Sequence, residues 1–177
     1  MAIIESARKL TTPGNSGVVD TSTHTTDSDA SASCATLTTN EGIEGIPVPG
    51  RTYMIRDLDS GRVITLEGGL LTLKLVGGTS GGWHWHCVER DGGWLGFQEA
   101  VSGNYLGRNG KGGFHAKFQH FLSWESFCLR PLEEGGYHLL TAINQSTFRR
   151  MGTVGDGGKL IEVTTAVEGT RWEFVKV

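Results

Sequence analysis

From Arg51 onward the chain can be written as three rows of about 42 residues, beginning at Arg51, Gly93 and Gly136, a period that marks repeated supersecondary units. Each row ends on a tryptophan followed by a short β-type run: Trp85-His86-Cys87-Val88, Trp124-Glu125-Ser126-Phe127 and Trp172-Glu173-Phe174-Val175. The row openings align as well, with Ile55, Phe97 and Leu140 in one column and Val63, Tyr105 and Phe148 in another. Between these columns lie turn signals such as Asp59-Ser60-Gly61, Glu67-Gly68-Gly69, Asn109-Gly110, Gly112-Gly113 and Asp156-Gly157-Gly158. They divide each row into about four strands, or about twelve in all. A single row cannot bury its own apolar face, so three rows set around a pseudo-threefold axis and closing a barrel are the physically sensible solution. The row-ending tryptophans, Trp124 among them, are expected to be core, because a shared core demands the same large residue at equivalent positions.

Composition agrees with an all-β domain and narrows its partners. Glycine supplies 27 of 177 residues against 4 prolines, so the turn-formers are those that reach positive φ, as tight hairpins require. A formal net charge of −3, from 16 basic and 19 acidic residues, provides no basic stripe and argues against nucleic acid as a partner. Charges interrupt the first ten residues and no apolar run reaches membrane-spanning length, which points away from a secretory signal and a membrane. Cys34, Cys87 and Cys128 are odd in number and lack paired spacing, so reduced thiols in a cytoplasmic compartment are expected.

The N-terminal stretch reads differently. From Leu10 to about Asn40 it is Thr, Ser, Asp and Ala with no aromatic residue, too little apolar surface to offset ordering entropy. Residues 1–48 are therefore expected to be a disordered or loosely packed tail, with a tail folded over a pocket as the alternative, and residues 49–177 to be the folded domain.

The three-row layout, with Gly103-Asn104-Tyr105-Leu106-Gly107 in the second row and a tryptophan closing each, resembles the fascin-like β-trefoils. It is similar in particular to a group of small fungal (ascomycete) single-trefoil proteins, through Pro49-Gly50-Arg51-Thr52-Tyr53, Gly93-Trp94-Leu95-Gly96-Phe97 and Thr170-Arg171-Trp172-Glu173-Phe174-Val175. The resemblance implies a β-trefoil over Pro49 to Val177. It implies no activity, because trefoils host actin bundlers, lectins, protease inhibitors and growth factors. Ricin-type lectins end each row with Gln-x-Trp. Here the matching residues are Trp83, Leu122 and Thr170, so that sugar-site pattern is absent. Fascin-like bundlers use several linked trefoils with basic surfaces, so bundling of actin by this chain would need a homodimer.

Several residues stand out as candidates for chemistry. Trp83 has no counterpart in the other rows and follows the glycine-rich run from Gly77 to Gly82. His84 and His86 flank Trp85 and should face away from the core, and a His-x-His pair can chelate a metal given a third ligand. His115, His120 and His138 lie at no diagnostic spacing from that pair, so no metal and no cofactor are assigned. Arg149 and Arg150 align with apolar or small residues, Ile64 or Leu106 and Thr65 or Gly107, a departure from the repeat that marks either a site or a charged edge. Cys87 and Cys128 read as inert core thiols.

The leading expectation is a non-catalytic binding or scaffold module that engages a protein or small ligand through loops carrying Trp83, His84 and His86, with Arg149 and Arg150 as further ligand contacts. The runner-up is a small-molecule isomerase or cyclase of a biosynthetic pathway, with His84, His86 and Arg149 as catalytic candidates in a pocket closed by the tail. The third is an actin-associating protein. Removal of the residues before Pro47 should leave one cooperative thermal transition, because the repeats all lie beyond that point. Its loss in calorimetry would unite tail and domain.

Overall fold

The computed structural model describes residues 45–77, 81–144, 146–156, 158–164 and 169–177; the tail assigned to residues 1–48 lies almost wholly outside them. The first repeat holds β1 (Thr52–Asp57), β2 (Val63–Glu67), β3 (Leu70–Lys74) and β4 (Trp85–Arg90). The second holds β5 (Trp94–Glu99), β6 (Tyr105–Arg108), β7 (Phe114–Phe118) and β8 (Phe127–Pro131), with one 3-10 turn, η1 (Ser123–Glu125), before β8. The third holds β9 (Tyr137–Ala142), β10 (Phe148–Val154), β11 (Lys159–Val163) and β12 (Trp172–Lys176). Four strands per repeat is the number the turn signals predicted.

Among the described residues every strand pairing is antiparallel, and together the pairings close a ring. Strand β1 pairs with β4, β4 with β5, β5 with β8, β8 with β9, β9 with β12, and β12 returns to β1. The remaining strands form three hairpins, β2–β3, β6–β7 and β10–β11, each joined to the first strand of its own repeat. This is the β-trefoil: a six-stranded barrel capped by a hairpin triplet. The β2–β3 connection shows the role of glycine, since Gly68 and Gly69 both take positive φ, 55° and 79°, as a two-residue turn between paired Glu67 and Leu70 requires.

Register defines which residues are equivalent. Ile55, Phe97 and Leu139 face Phe174, Cys87 and Leu129 across the barrel pairings. All three are fully buried, so the column expected at Leu140 is held by Leu139. Val63, Tyr105 and Arg150 pair with Arg56, Gln98 and Leu140, so Arg150 takes the place assigned to Phe148. Leu140 and Arg150 are ten residues apart in sequence where Arg56 and Val63, and Gln98 and Tyr105, are seven apart, which displaced the sequence alignment. With register corrected, Arg149 matches Arg62 and Asn104, and it ceases to be a departure from a row of apolar residues.

The next column, Ile64, Leu106 and Met151, is fully buried, and 21 residues after each stand Trp85, Phe127 and Trp172, also fully buried. Trp85 donates its indole N–H to the Ile64 carbonyl and Trp172 to the Met151 carbonyl, both at 3.0 Å. Trp124 is therefore not the core member of the second repeat. It sits three residues early on η1, 46% exposed, and Phe127 fills its expected place, packing against Phe97 and Phe114. Phenylalanine has no N–H to satisfy, so the second repeat needs no carbonyl partner there.

Cys87 is fully buried and Cys128 partly so, and burial pushes both thiols up, Cys87 to about 12 with a smaller push from Glu89. Thiols held so far from ionisation are poor nucleophiles, in line with the sequence expectation. Trp172→Ala should cost about 3–5 kcal/mol, as large aromatic deletions from a core do. Trp124→Ala should cost about 1 kcal/mol or less, since its ring is largely a surface contact. Chemical denaturation midpoints of the two variants check the reassignment.

Candidate functional site

A cleft of about 350 Å³ lies where the second and third repeats meet, lined on its apolar side by Trp94, Trp124 and Phe148. Trp94 opens β5, Trp124 lies on η1 and Phe148 opens β10. Trp94 and Phe148 stack with ring centroids 6.2 Å apart and planes 16° apart. Polar groups complete the lining: the guanidinium groups of Arg90 and Arg108, and the side chains of Ser123, Ser126 and Asn144.

The three aromatics share one property that register exposes. Trp94 occupies the position of Thr52 and Gly136; Trp124, three residues before Phe127, that of Gly82 and Gly169; and Phe148, two before Arg150, that of Gly61 and Gly103. A large ring thus stands where the other repeats keep glycine or threonine. The core is served by the shared columns, so these rings answer to something else, and all three converge on one cleft.

Local sequence seats them. Gly110 has φ +70°, and a side chain there would bring its Cβ within 2.9 Å of the Trp124 ring, so this glycine lets the indole lie on the β6–β7 turn. Gly107 does the same for η1, leaving room for the buried Glu125 side chain, whose Oε2 accepts from the Leu122 N–H at 3.0 Å.

Arg108 is the most constrained polar member. It is 8% exposed, its Nε donates to Glu162 Oε1 at 3.0 Å, one terminal nitrogen donates to the Ala142 carbonyl at 2.8 Å, and its guanidinium carbon lies 5.6 Å from the Trp124 ring centroid. Arg90, by contrast, is exposed and lies over Phe121 at 5.7 Å, with Phe121 stacked in turn on Tyr105. One arginine is fixed and the other rests on a ring at the surface. Such a cleft can hold a ligand with one flat apolar face and several hydrogen-bonding groups. Among the described residues, none that lines the cleft carries a carboxylate, imidazole or thiol.

The residues singled out in the sequence lie elsewhere. Trp83 is half-buried with its ring edge-on to the exposed His84, centroids 6.0 Å apart. His86, on β4, is half-buried with Nδ1 3.4 Å from Thr52 Oγ1. Arg149 and Arg150 are neighbours on β10, and Arg150 packs beside Gly169. Trp83 touches His84 and the two arginines are adjacent, while His86 and the arginines lie on β4 and β10, strands that are not paired with each other. Among the described residues no three His, Cys, Asp or Glu side chains are grouped to hold a metal ion.

No protein-family model matches the chain, and no curated protein matches its sequence. Solved structures do. An endo-β-galactosidase from Clostridium perfringens that releases GlcNAcα1-4Gal matches with TM-score 0.61 at 16% identity, over 72% of this chain and 32% of that one, so the present chain spans about a third of its length. A structure described as the BEL beta-trefoil matches with TM-score 0.61 at 14% identity, over 75% of this chain and 97% of that one. SeviL, solved bound to the asialo-GM1 saccharide, matches with TM-score 0.57 at 16% identity, over 72% of this chain and 98% of that one.

Glu162→Gln should destabilise the domain by about 3 kcal/mol, the low end for stranding one member of a buried ion pair, because Arg108 and Glu162 are each nearly sealed from water. Trp124 emission should also shift to longer wavelength as the guanidinium beneath it loosens. Unfolding curves and fluorescence spectra of the variant test both. At this level of likeness the comparisons establish the fold: strands β1 to β12 form a β-trefoil.

Proposed function

We propose that this protein is a non-catalytic binding module that takes a small saccharide in the cleft lined by Trp94, Trp124 and Phe148. The observation that carries the reading is the convergence of three aromatic rings at positions where the other repeats hold glycine or threonine. A sugar ring presents a face of C–H groups and an edge of hydroxyls. Stacked aromatic rings beside Arg90, Arg108, Ser123 and Asn144 meet both. The Arg108 guanidinium is held in advance by Glu162 and the Ala142 carbonyl, so little ordering is required on binding. The likeness to SeviL, whose structure contains a saccharide, supports the ligand class while the ricin-type Gln-x-Trp ending is absent, so the contacts would differ from that pattern.

A second reading keeps the narrower kinship with fascin-like fungal trefoils, and actin as partner. It is favoured by the run Gly93-Trp94-Leu95-Gly96-Phe97, whose Trp94 lines the cleft, and cosedimentation with filamentous actin decides it.

Tryptophan fluorescence titration against galactose-terminated and N-acetylglucosamine-terminated oligosaccharides tests the saccharide reading. Saturable quenching is expected, and Trp94→Ala should weaken it by about tenfold or more, the equivalent of roughly 1.4 kcal/mol of stacking and contact. Titrations that remain flat for both sugar classes, or a Trp94→Ala variant that binds as the native protein does, would overturn it.

A further inference from the structure

A larger cavity, of about 640 Å³, opens where the hairpin strands β3, β7 and β11, one from each repeat, come together. It shares no lining residue with the aromatic cleft. Its floor is apolar, formed by Leu71, Phe114 and Leu160, while Lys111, Lys117 and Lys159 stand at its edge. Turn chemistry places them. Asn109 Oδ1 accepts from the Lys111 N–H at 2.8 Å and the Gly113 N–H at 3.0 Å, which closes the β6–β7 turn and sets Lys111 beside the opening. Gly158, at φ +59°, lets the turn before Lys159 press against Leu73, where an added Cβ would lie 2.4 Å from that side chain.

Three amines in one concavity invert the sign of a chain whose formal charge is −3. Among the described residues no carboxylate forms an ion pair with any of the three; the pairs present engage Arg56, Lys74, Arg108 and Arg171. Thr72 and His115 also line the cavity, with Thr72 Oγ1 and His115 Nε2 sealed from water and turned away from its open space. Burial and the adjacent Lys117 amine hold the His115 imidazole below its usual range, against a weaker opposite pull from Glu125, so the charge of the rim resides in the lysines.

We propose that this cavity is a second binding site, for a soluble phosphate ester, with Lys111, Lys117 and Lys159 neutralising the phosphate. Three lysines lining one cavity suit a group with charge spread over several oxygens, and the apolar floor accommodates the organic part of the ester.

Pyrophosphate serves as the probe, followed by amide chemical shifts of the full chain. Saturable shifts are expected around Thr72, Lys111, His115, Lys117 and Lys159. The triple variant K111Q/K117Q/K159Q should bind at least about tenfold more weakly. The triple variant K9Q/K74Q/K176Q, which removes the same charge elsewhere, should bind as the native chain does, and so should W94A. Retained thermal transitions verify that each variant folds. Shifts that never saturate, or equal weakening by both lysine triples, would overturn the proposal by reducing it to diffuse charge attraction.

Discussion

Two hydrogen bonds from buried indoles tie the ends of repeats to their beginnings. Trp85 and Trp172, each at the start of a fourth strand, donate to the carbonyls of Ile64 and Met151 on the second strands. A bond across 21 residues fixes where the hairpin lies relative to the barrel, and it does so inside the core, where an unmade bond would be costly. Barrel closure then follows from the neighbouring pairs, Tyr53 to Asp57 against Trp172 to Lys176 and Trp85 to Arg90 against Trp94 to Glu99. The second repeat achieves the same placement with Phe127, by shape alone.

Once the core is supplied by the equivalent columns, what lies outside them is free to differ between repeats. Asp57 and Glu99 show the shared solution at one such position: both are buried carboxylates that accept backbone N–H bonds from the turn that follows. The third repeat has Thr141 there, and Asn144 accepts the turn N–H groups of Ser146 and Thr147 instead. This turn carries Asn144 and leads into Phe148, both of which line the aromatic cleft. A small change in how one turn is capped thus separates the second–third junction from the other two.

The fold was legible in the sequence because strand number and order depend on turn residues and on the period of apolar positions, both of which are local. The candidate cleft was not, and the reasons are specific. Trp124 and Phe127 are three residues apart in one short run, and only the barrel register shows which of them matches Trp85 and Trp172. The three extra residues between the register-equivalent positions Leu140 and Arg150 moved Phe148 into a core column and made Arg149 look exceptional. Arg108 carries no motif, since its role depends on Glu162 and the Ala142 carbonyl from another repeat. Correct alignment of the three rows was the signal that could have found the cleft, as it sets Trp94, Trp124 and Phe148 opposite glycine or threonine.

Strand β1 and strand β12 are paired neighbours, and the Val177 N–H reaches the Thr52 carbonyl at 3.2 Å. The gap between them is the same kind of junction as those between β4 and β5 and between β8 and β9, except that no turn bridges it. The barrel therefore holds no record of where its polypeptide starts. Circular permutation of the barrel, with Val177 joined to Thr52 by a short linker and the chain opened at either of the other two junctions, would preserve every strand pairing, and the domain could be inserted into a host loop as readily as appended to a terminus.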